Sequence, residues 1–230
     1  MEERVRPLAA KVGVPFVEGG HLLTAVVHRS YLNEHSEFGR DHNERLEFLG
    51  DAVLELVVTE HLFLNYDNPE GELTNWRAAL VNGQWLADIA QTIELESYLL
   101  MSRGEQKDKN SKARRYILAN AMEAVIGAIY LDSGWDEAKG FIERYVISTL
   151  PKILDKNLHV DPKSNFQEES QSRLSVTPSY KVLEETGPDH KKTFRIGVYL
   201  GKELVAEGKG TSKQEAQVAA AKAGLEAKGW

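Results

Sequence analysis

Asn43 to Leu54 reads NERLEFLGDAVL, and this stretch decides the fold of the first half of the chain. On a helix turning about 100° per residue, Glu44, Glu47 and Asp51 fall within roughly 60° of one another, and Leu46, Leu49, Val53 and Val57 take the opposite side. Three acids on one stripe repel one another, which favours a bound counter-ion. The same pattern is also the ordinary solvated face of an amphipathic helix. Phe48 lies about 40° from Glu44, inside the acid stripe and away from the apolar side, so its own core cannot easily receive it. An aromatic in that position needs a partner surface.

Working outward, apolar residues recur at helical spacing from His21 to Leu154, and strand-like alternation is scarce. Leu46 to Leu64 reads as a long amphipathic helix and Ile117 to Leu131 as a buried one. In YILANAMEAVIGAIYL, Tyr116 to Leu131, Glu123 is the only charged residue. A buried carboxylate is costly without a partner or a metal. Asn120 stands three residues earlier, on the same helical face, with an amide oxygen that can ligate a hard cation. If the two helices pack face to face, Glu47, Asp51, Asn120 and Glu123 form an all-oxygen site suited to Mg²⁺, with Mn²⁺ able to replace it. The lack of clustered His and Cys argues against zinc.

The chain has 230 residues, 42% of them hydrophobic, which is enough for one or two globular domains and excludes a disordered chain. With no cysteine, disulfides, thiolate nucleophiles and cysteine-based zinc sites are excluded. No apolar run follows Met1 to Arg6 as a signal peptide would require, and the longest apolar stretches fall short of a membrane span, so a cytoplasmic location without a membrane partner is expected. The net charge of −7 is unevenly spread: residues 1–155 carry 16 Lys and Arg against 25 Asp and Glu, whereas residues 156–230 carry 12 against 10. An acidic first part that must approach a polyanion needs its carboxylates neutralised locally, as divalent cations do.

Asp155 to Pro162, DKNLHVDP, breaks the apolar period and contains a proline, so a linker is expected at 155–161 between an all-α domain, 1–154, and a second domain, 162–230. The second domain changes texture. A short helix near Lys163 to Leu174 precedes strand-like alternation at Tyr180 to Glu185, Thr193 to Leu200 and Glu203 to Gly208. A last helix starts at Ser212, where Ser212 and Glu215 have capping-box spacing, and runs to about Lys228. The order is α-β-β-β-α.

NERLEFLGDAVL resembles the ribonuclease III signature, and HRSY (His28 to Tyr31), EGELTNWRAALV (Glu70 to Val81) and ILANAMEAVIGAIYLD (Ile117 to Asp132) match the same family. The resemblance implies a helical nuclease fold that forms a homodimer through the signature helix, with Phe48 entering a pocket of the other subunit. It implies metal-dependent cleavage of double-stranded RNA to 5′-phosphate and 3′-hydroxyl ends with short 3′ overhangs, in the processing of rRNA precursors and other structured transcripts. It makes Glu47, Asp51, Asn120 and Glu123 the metal ligands and Glu44 and Glu70 accessory acids of the same valley. Asn120 stands where the family usually has aspartate, and DKNSKARR, Asp108 to Arg115, replaces the family's glycine pair. The alternative to an enzyme is therefore a catalytically silent dimer that only binds RNA.

KSNFQEESQ (Lys163 to Gln171), PSY (Pro178 to Tyr180), GPDHKKTF (Gly187 to Phe194) and GKGTSKQEA (Gly208 to Ala216) resemble a double-stranded-RNA-binding domain in the right order. Such domains read A-form shape through 2′-hydroxyls and phosphates. Ser164, Gln167 and Glu168 on the first helix and Pro188 and His190 in the turn are the expected minor-groove contacts. Lys209, Lys213 and the amides near Ser212 suit phosphates. Gln214 replaces the family's second lysine, which predicts fewer phosphate contacts and a weaker dependence on salt.

Overall fold

A computed structural model describes residues 3–17, 19–107, 111–155, 159–188 and 192–230. The chain divides into two compact units, Met1–His159 and Val160–Trp230.

The first unit contains α1 (Arg6–Val12), α2 (Gly20–Ala25), α3 (Arg29–Glu34), α4 (Glu44–Asn65), α5 (Glu70–Val81), α6 (Gly83–Thr92), α7 (Arg103–Lys107), α8 (Lys112–Ser133), α9 (Trp135–Tyr145) and α10 (Leu150–Asp155). α8 is its axis: every side chain from Ala124 to Ile129 is buried, and α2, α4, α6 and α9 all pack against it. A helix apolar on nearly all sides must be surrounded in this way. α4 contributes Leu46, Val53, Leu54, Val57, Val58 and Leu62 to the same core.

Asn43 fixes where α4 begins. It is buried, its backbone N–H donates to the Val27 carbonyl at 2.9 Å, and its Nδ2 donates to the Ala25 carbonyl at 3.3 Å. Strand character in this unit is confined, among the described residues, to one isolated parallel bridge. In it the His28 N–H donates to the Leu100 carbonyl at 2.9 Å and the Leu100 N–H to the Val26 carbonyl at 2.8 Å.

The second unit runs α11 (Pro162–Leu174), β1 (Pro178–Thr186), β2 (Thr193–Leu200), β3 (Glu203–Gly210) and α12 (Lys213–Lys228). The strands form an antiparallel meander in the order β1-β2-β3, pairing Tyr180 with Val198 and Val198 with Ala206. Both helices pack on the sheet over a small core of Phe166, Val198, Leu200, Ala220 and Ala221. Alanines at 216, 220 and 221, all fully buried, let α12 lie close to the strands.

The start of α12 departs from the expected capping box. Ser212 Oγ accepts from the Glu215 N–H at 3.2 Å, but the Glu215 carboxylate turns to Thr211, accepting from its N–H at 2.9 Å and from its hydroxyl. Among the described residues no helix is long and apolar enough to cross a membrane.

Candidate metal centre and nucleic-acid interface

Two glycines bring the acidic residues together. A Cβ added at Gly50 of α4 would lie 1.8 Å from the carbonyl oxygen of Glu123, and one added at Gly127 of α8 would lie 2.3 Å from the carbonyl oxygen of Leu46. The two helices therefore touch backbone to backbone, an approach only glycine permits on both sides. Glu47 and Asp51 flank Gly50, while Asn120 and Glu123 precede Gly127 by two turns and one. The crossing thus sets one pair of oxygen donors beside the other.

The electrostatics report the same proximity. Partial burial, then the carboxylates of Asp51 and Glu47, push the Glu123 carboxyl up to about 8. Glu47 is also raised, first by burial and then by the Glu44 charge; a hydrogen bond with Asn120 opposes the rise, and Asp51 adds to it. No lysine or arginine among the described residues pairs with Glu47, Asp51 or Glu123. Clustered carboxylates without a cationic side chain, joined by a neutral amide oxygen, suit a hard divalent cation.

Three features of the placement refine the picture. Glu123 is partly rather than fully buried, because its carboxylate opens toward the acid stripe of α4 instead of into the core. Among the described residues no three His, Cys, Asp or Glu side chains already converge tightly enough to grip an ion. Glu70 lies apart from the cluster: it starts α5, accepts a hydrogen bond from Thr74 at 3.0 Å, and lines a separate cavity with Leu62, Phe63 and Arg77.

Glu44 borders the site and lies 3.7 Å from the Arg29 guanidinium. Phe48 stands out from α4 with 82% of its surface exposed, and Leu56 and Phe63 continue an exposed apolar line along the helix. Sequence reasoning missed the glycine crossing, and it missed a cavity of about 610 Å³ in which His28, Arg29 and Tyr116 meet Glu47 and Asn120. Glycines inside two strongly apolar helical runs were the available signal for the crossing. The cavity had no such signal, since its residues come from separate segments.

In the second unit Ser164, Gln167 and Glu168 sit on the exposed side of α11, and Pro188 is exposed after β1. The Ser164 hydroxyl is engaged, donating to Asp161 at 2.9 Å. Lys209 on β3 and Lys213 in the first turn of α12 are exposed, the Lys213 ammonium standing 5.8 Å from the centre of the Phe194 ring. Ser212 caps α12, so the helix offers backbone N–H groups beside these two cations. His190 lies outside the described residues.

Residues 20–150 match the Ribonuclease-III-like family model, and residues 162–228 match the double-stranded RNA binding motif. A protein named Ribonuclease 3 from Roseiflexus sp. (strain RS-1) is 40% identical over 230 residues, covering 99% of this chain and 97% of that one. Ribonuclease 3 from Borreliella burgdorferi is 42% identical over 207 residues, 90% of this chain and 84% of that one. Among solved structures, the nuclease domain of ribonuclease III from Campylobacter jejuni is similar with a TM-score of 0.57 at 38% identity, covering 64% of this chain and 99% of that domain. Its description names a region involved in dimer formation.

Proposed function

The chain belongs to the ribonuclease III family and is a metal-dependent endoribonuclease acting on double-stranded RNA; from that premise we propose that Glu47, Asp51, Asn120 and Glu123 are its metal ligands, with Mg²⁺ the working ion and Mn²⁺ able to replace it. The observation that carries this reading is the glycine crossing of α4 and α8, which sets Glu47 and Asp51 beside Asn120 and Glu123. Divalent cations, when bound, supply Lewis acidity at the scissile phosphate, lowering the pKa of the attacking water and offsetting charge on the leaving 3′-oxygen.

The chain's own residues do the rest. Three carboxylates and one amide supply oxygen donors, and the backbone contact at Gly50 and Gly127 holds the two helices bearing them at a fixed separation. Glu44 adds negative charge at the edge of the cluster. Asn120 keeps an oxygen donor but withdraws one charge, which weakens affinity for the ion without removing its seat. Exposed groups of the second unit, namely Gln167, Glu168, Lys209 and Lys213 with the α12 amides, hold the duplex through phosphates and 2′-hydroxyls. His190 completes that set.

The working form is a homodimer joined through α4, with Phe48 entering the partner subunit and Glu70 acting as an accessory acid of the cleavage valley. Its products carry 5′-phosphate and 3′-hydroxyl ends with short 3′ overhangs, its substrates are rRNA precursors and other structured transcripts, and it works in the cytoplasm. The test is incubation of the full chain with a perfect RNA duplex, with and without Mg²⁺ or Mn²⁺, followed by analysis of the ends. Cleavage that persists in a chelator would refute the ligand assignment.

A further inference from the structure

Tyr116 has no role in the core. It precedes Asn120 by one turn of α8, and where its neighbours Ile117 and Leu118 are buried it leaves 64% of its surface in solvent. It lines the cavity of about 610 Å³ that also takes in Glu47 and Asn120, and His28, Arg29 and Asn33 line the same space. A cavity of this size accommodates a group as large as a nucleotide.

Arg29 is the cation of this space. Its side chain is 71% exposed, and its approach to Glu44 at 3.7 Å is a loose pair that leaves most guanidinium donors facing outward. His28 is not a second cation: burial lowers its pKa below the usual histidine value, and its Nδ1 is engaged with the Ser30 hydroxyl at 2.8 Å. The cavity therefore offers one aromatic face, one phenol hydroxyl, one outward guanidinium and neutral hydrogen-bonding groups, with the Glu105 carboxylate on its lining besides Glu44 and Glu47. An A-form duplex keeps its bases stacked and paired, and presents ribose faces, 2′-hydroxyls and phosphates across its shallow groove.

We propose that this cavity receives the nucleotide of the cut strand that adjoins the scissile phosphate. The Tyr116 ring lies against its ribose with the hydroxyl on the 2′-oxygen, and Arg29 holds the next phosphate. The assignment rests on the reading that Glu47, Asp51, Asn120 and Glu123 are the cleavage site. It adds two substrate-contacting residues outside the ligand set.

The test uses the full chain with Mg²⁺ and a duplex of defined cut site, all-RNA or carrying a single 2′-deoxy nucleotide at each position flanking the cut in turn. Tyr116→Ala is expected to lower kcat/KM roughly tenfold, the scale of one lost ring contact. Tyr116→Phe is expected to cost less, and its cost should vanish on the duplex whose 2′-hydroxyl partner has been removed at one flanking position. Because phenylalanine preserves the fold, this cycle separates contact from damage. Arg29→Ala should raise KM and reduce the salt slope of log kcat/KM by about one. If the parent cuts but Tyr116→Ala cuts at the parental rate, or if the phenylalanine and deoxy losses add at every position, the ribose contact is overturned. An unchanged salt slope overturns the phosphate contact. A parent that binds the duplex and does not cut refutes the cleavage-site reading itself, and this assignment with it.

Discussion

At the residue scale the decisive group is Glu123. Its carboxyl is pushed up to about 8 from an ordinary 4.5 by burial and by Asp51 and Glu47. A carboxyl raised in this way contributes stability that is fully present below pH 4.5 and is lost as pH rises through about 8. In a chelator the melting temperature should therefore fall between about pH 4.5 and pH 8 more steeply for the parent than for Glu123→Gln, which carries no charge there. Mg²⁺ should restore the loss in the parent only, and the same variant should bind duplex RNA nearly normally while cutting none. Parallel melting profiles would show that neither burial nor its neighbours' charges raise the Glu123 carboxyl. Asn120→Asp tests the opposite change: the added charge should tighten metal binding and lower the Mg²⁺ concentration giving half-maximal rate, as read by titration. Both residues are legible in the amino-acid sequence because a lone acid in an apolar run, and an amide one turn away, are anomalies in a one-dimensional pattern. The partial exposure of Glu123 is not legible there, since it depends on which way a neighbouring helix turns its acids.

At the scale of elements, the sequence period located α4 and α8 to within a few residues, but it did not disclose how closely they meet. A period specifies which side of a helix is apolar; the distance to a neighbour depends on the side chains at one crossing point, and here those are Gly50 and Gly127. A Cβ 1.8 Å from a carbonyl oxygen cannot be absorbed by a rotamer change, because the obstacle is backbone. Gly50→Ala should therefore force the helices apart and destabilise the nuclease unit by about 3 kcal/mol, read by denaturant unfolding. Since the same movement separates Glu47 and Asp51 from Asn120 and Glu123, cleavage should fall further than the folded fraction. Gly71→Ala is the control: nothing lies within 4 Å of the added carbon on α5, and neither stability nor rate should drop. The capping box at α12 marks the other limit of local reading, for spacing located the cap at Ser212 while the Glu215 carboxylate took the nearer donors of Thr211.

At the scale of the whole molecule the chain divides into an acidic unit and a near-neutral unit, with the division at 159/160 where the sequence changes texture from about residue 155. The exposure of Phe48 was legible through a contradiction in the helix pattern: Phe48 belongs to the acid stripe, not to the apolar side. Its 82% exposure is continued along α4 by Leu56 at 57% and Phe63 at 76%, on a 22-residue helix whose other side is buried. A line of large exposed apolar groups is costly in water and is characteristic of a contact surface. In the proposed homodimer a two-fold axis across α4 would make the contact isologous, each Phe48 given by one subunit and received by the other, so that every substitution acts twice. Truncating a buried aromatic anchor costs about 2 kcal/mol or more, and two such losses weaken the dimer roughly a thousandfold. Phe48→Ala should therefore sediment as monomer at micromolar concentrations where the parent is dimeric. It should retain its helical content, because Phe48 makes no contribution to its own core. Duplex binding by the second unit should survive as well, leaving lost cleavage to report the lost dimer. A variant that stays dimeric at the lowest measurable concentration would move the anchor to Leu56 and Phe63, further along the same face.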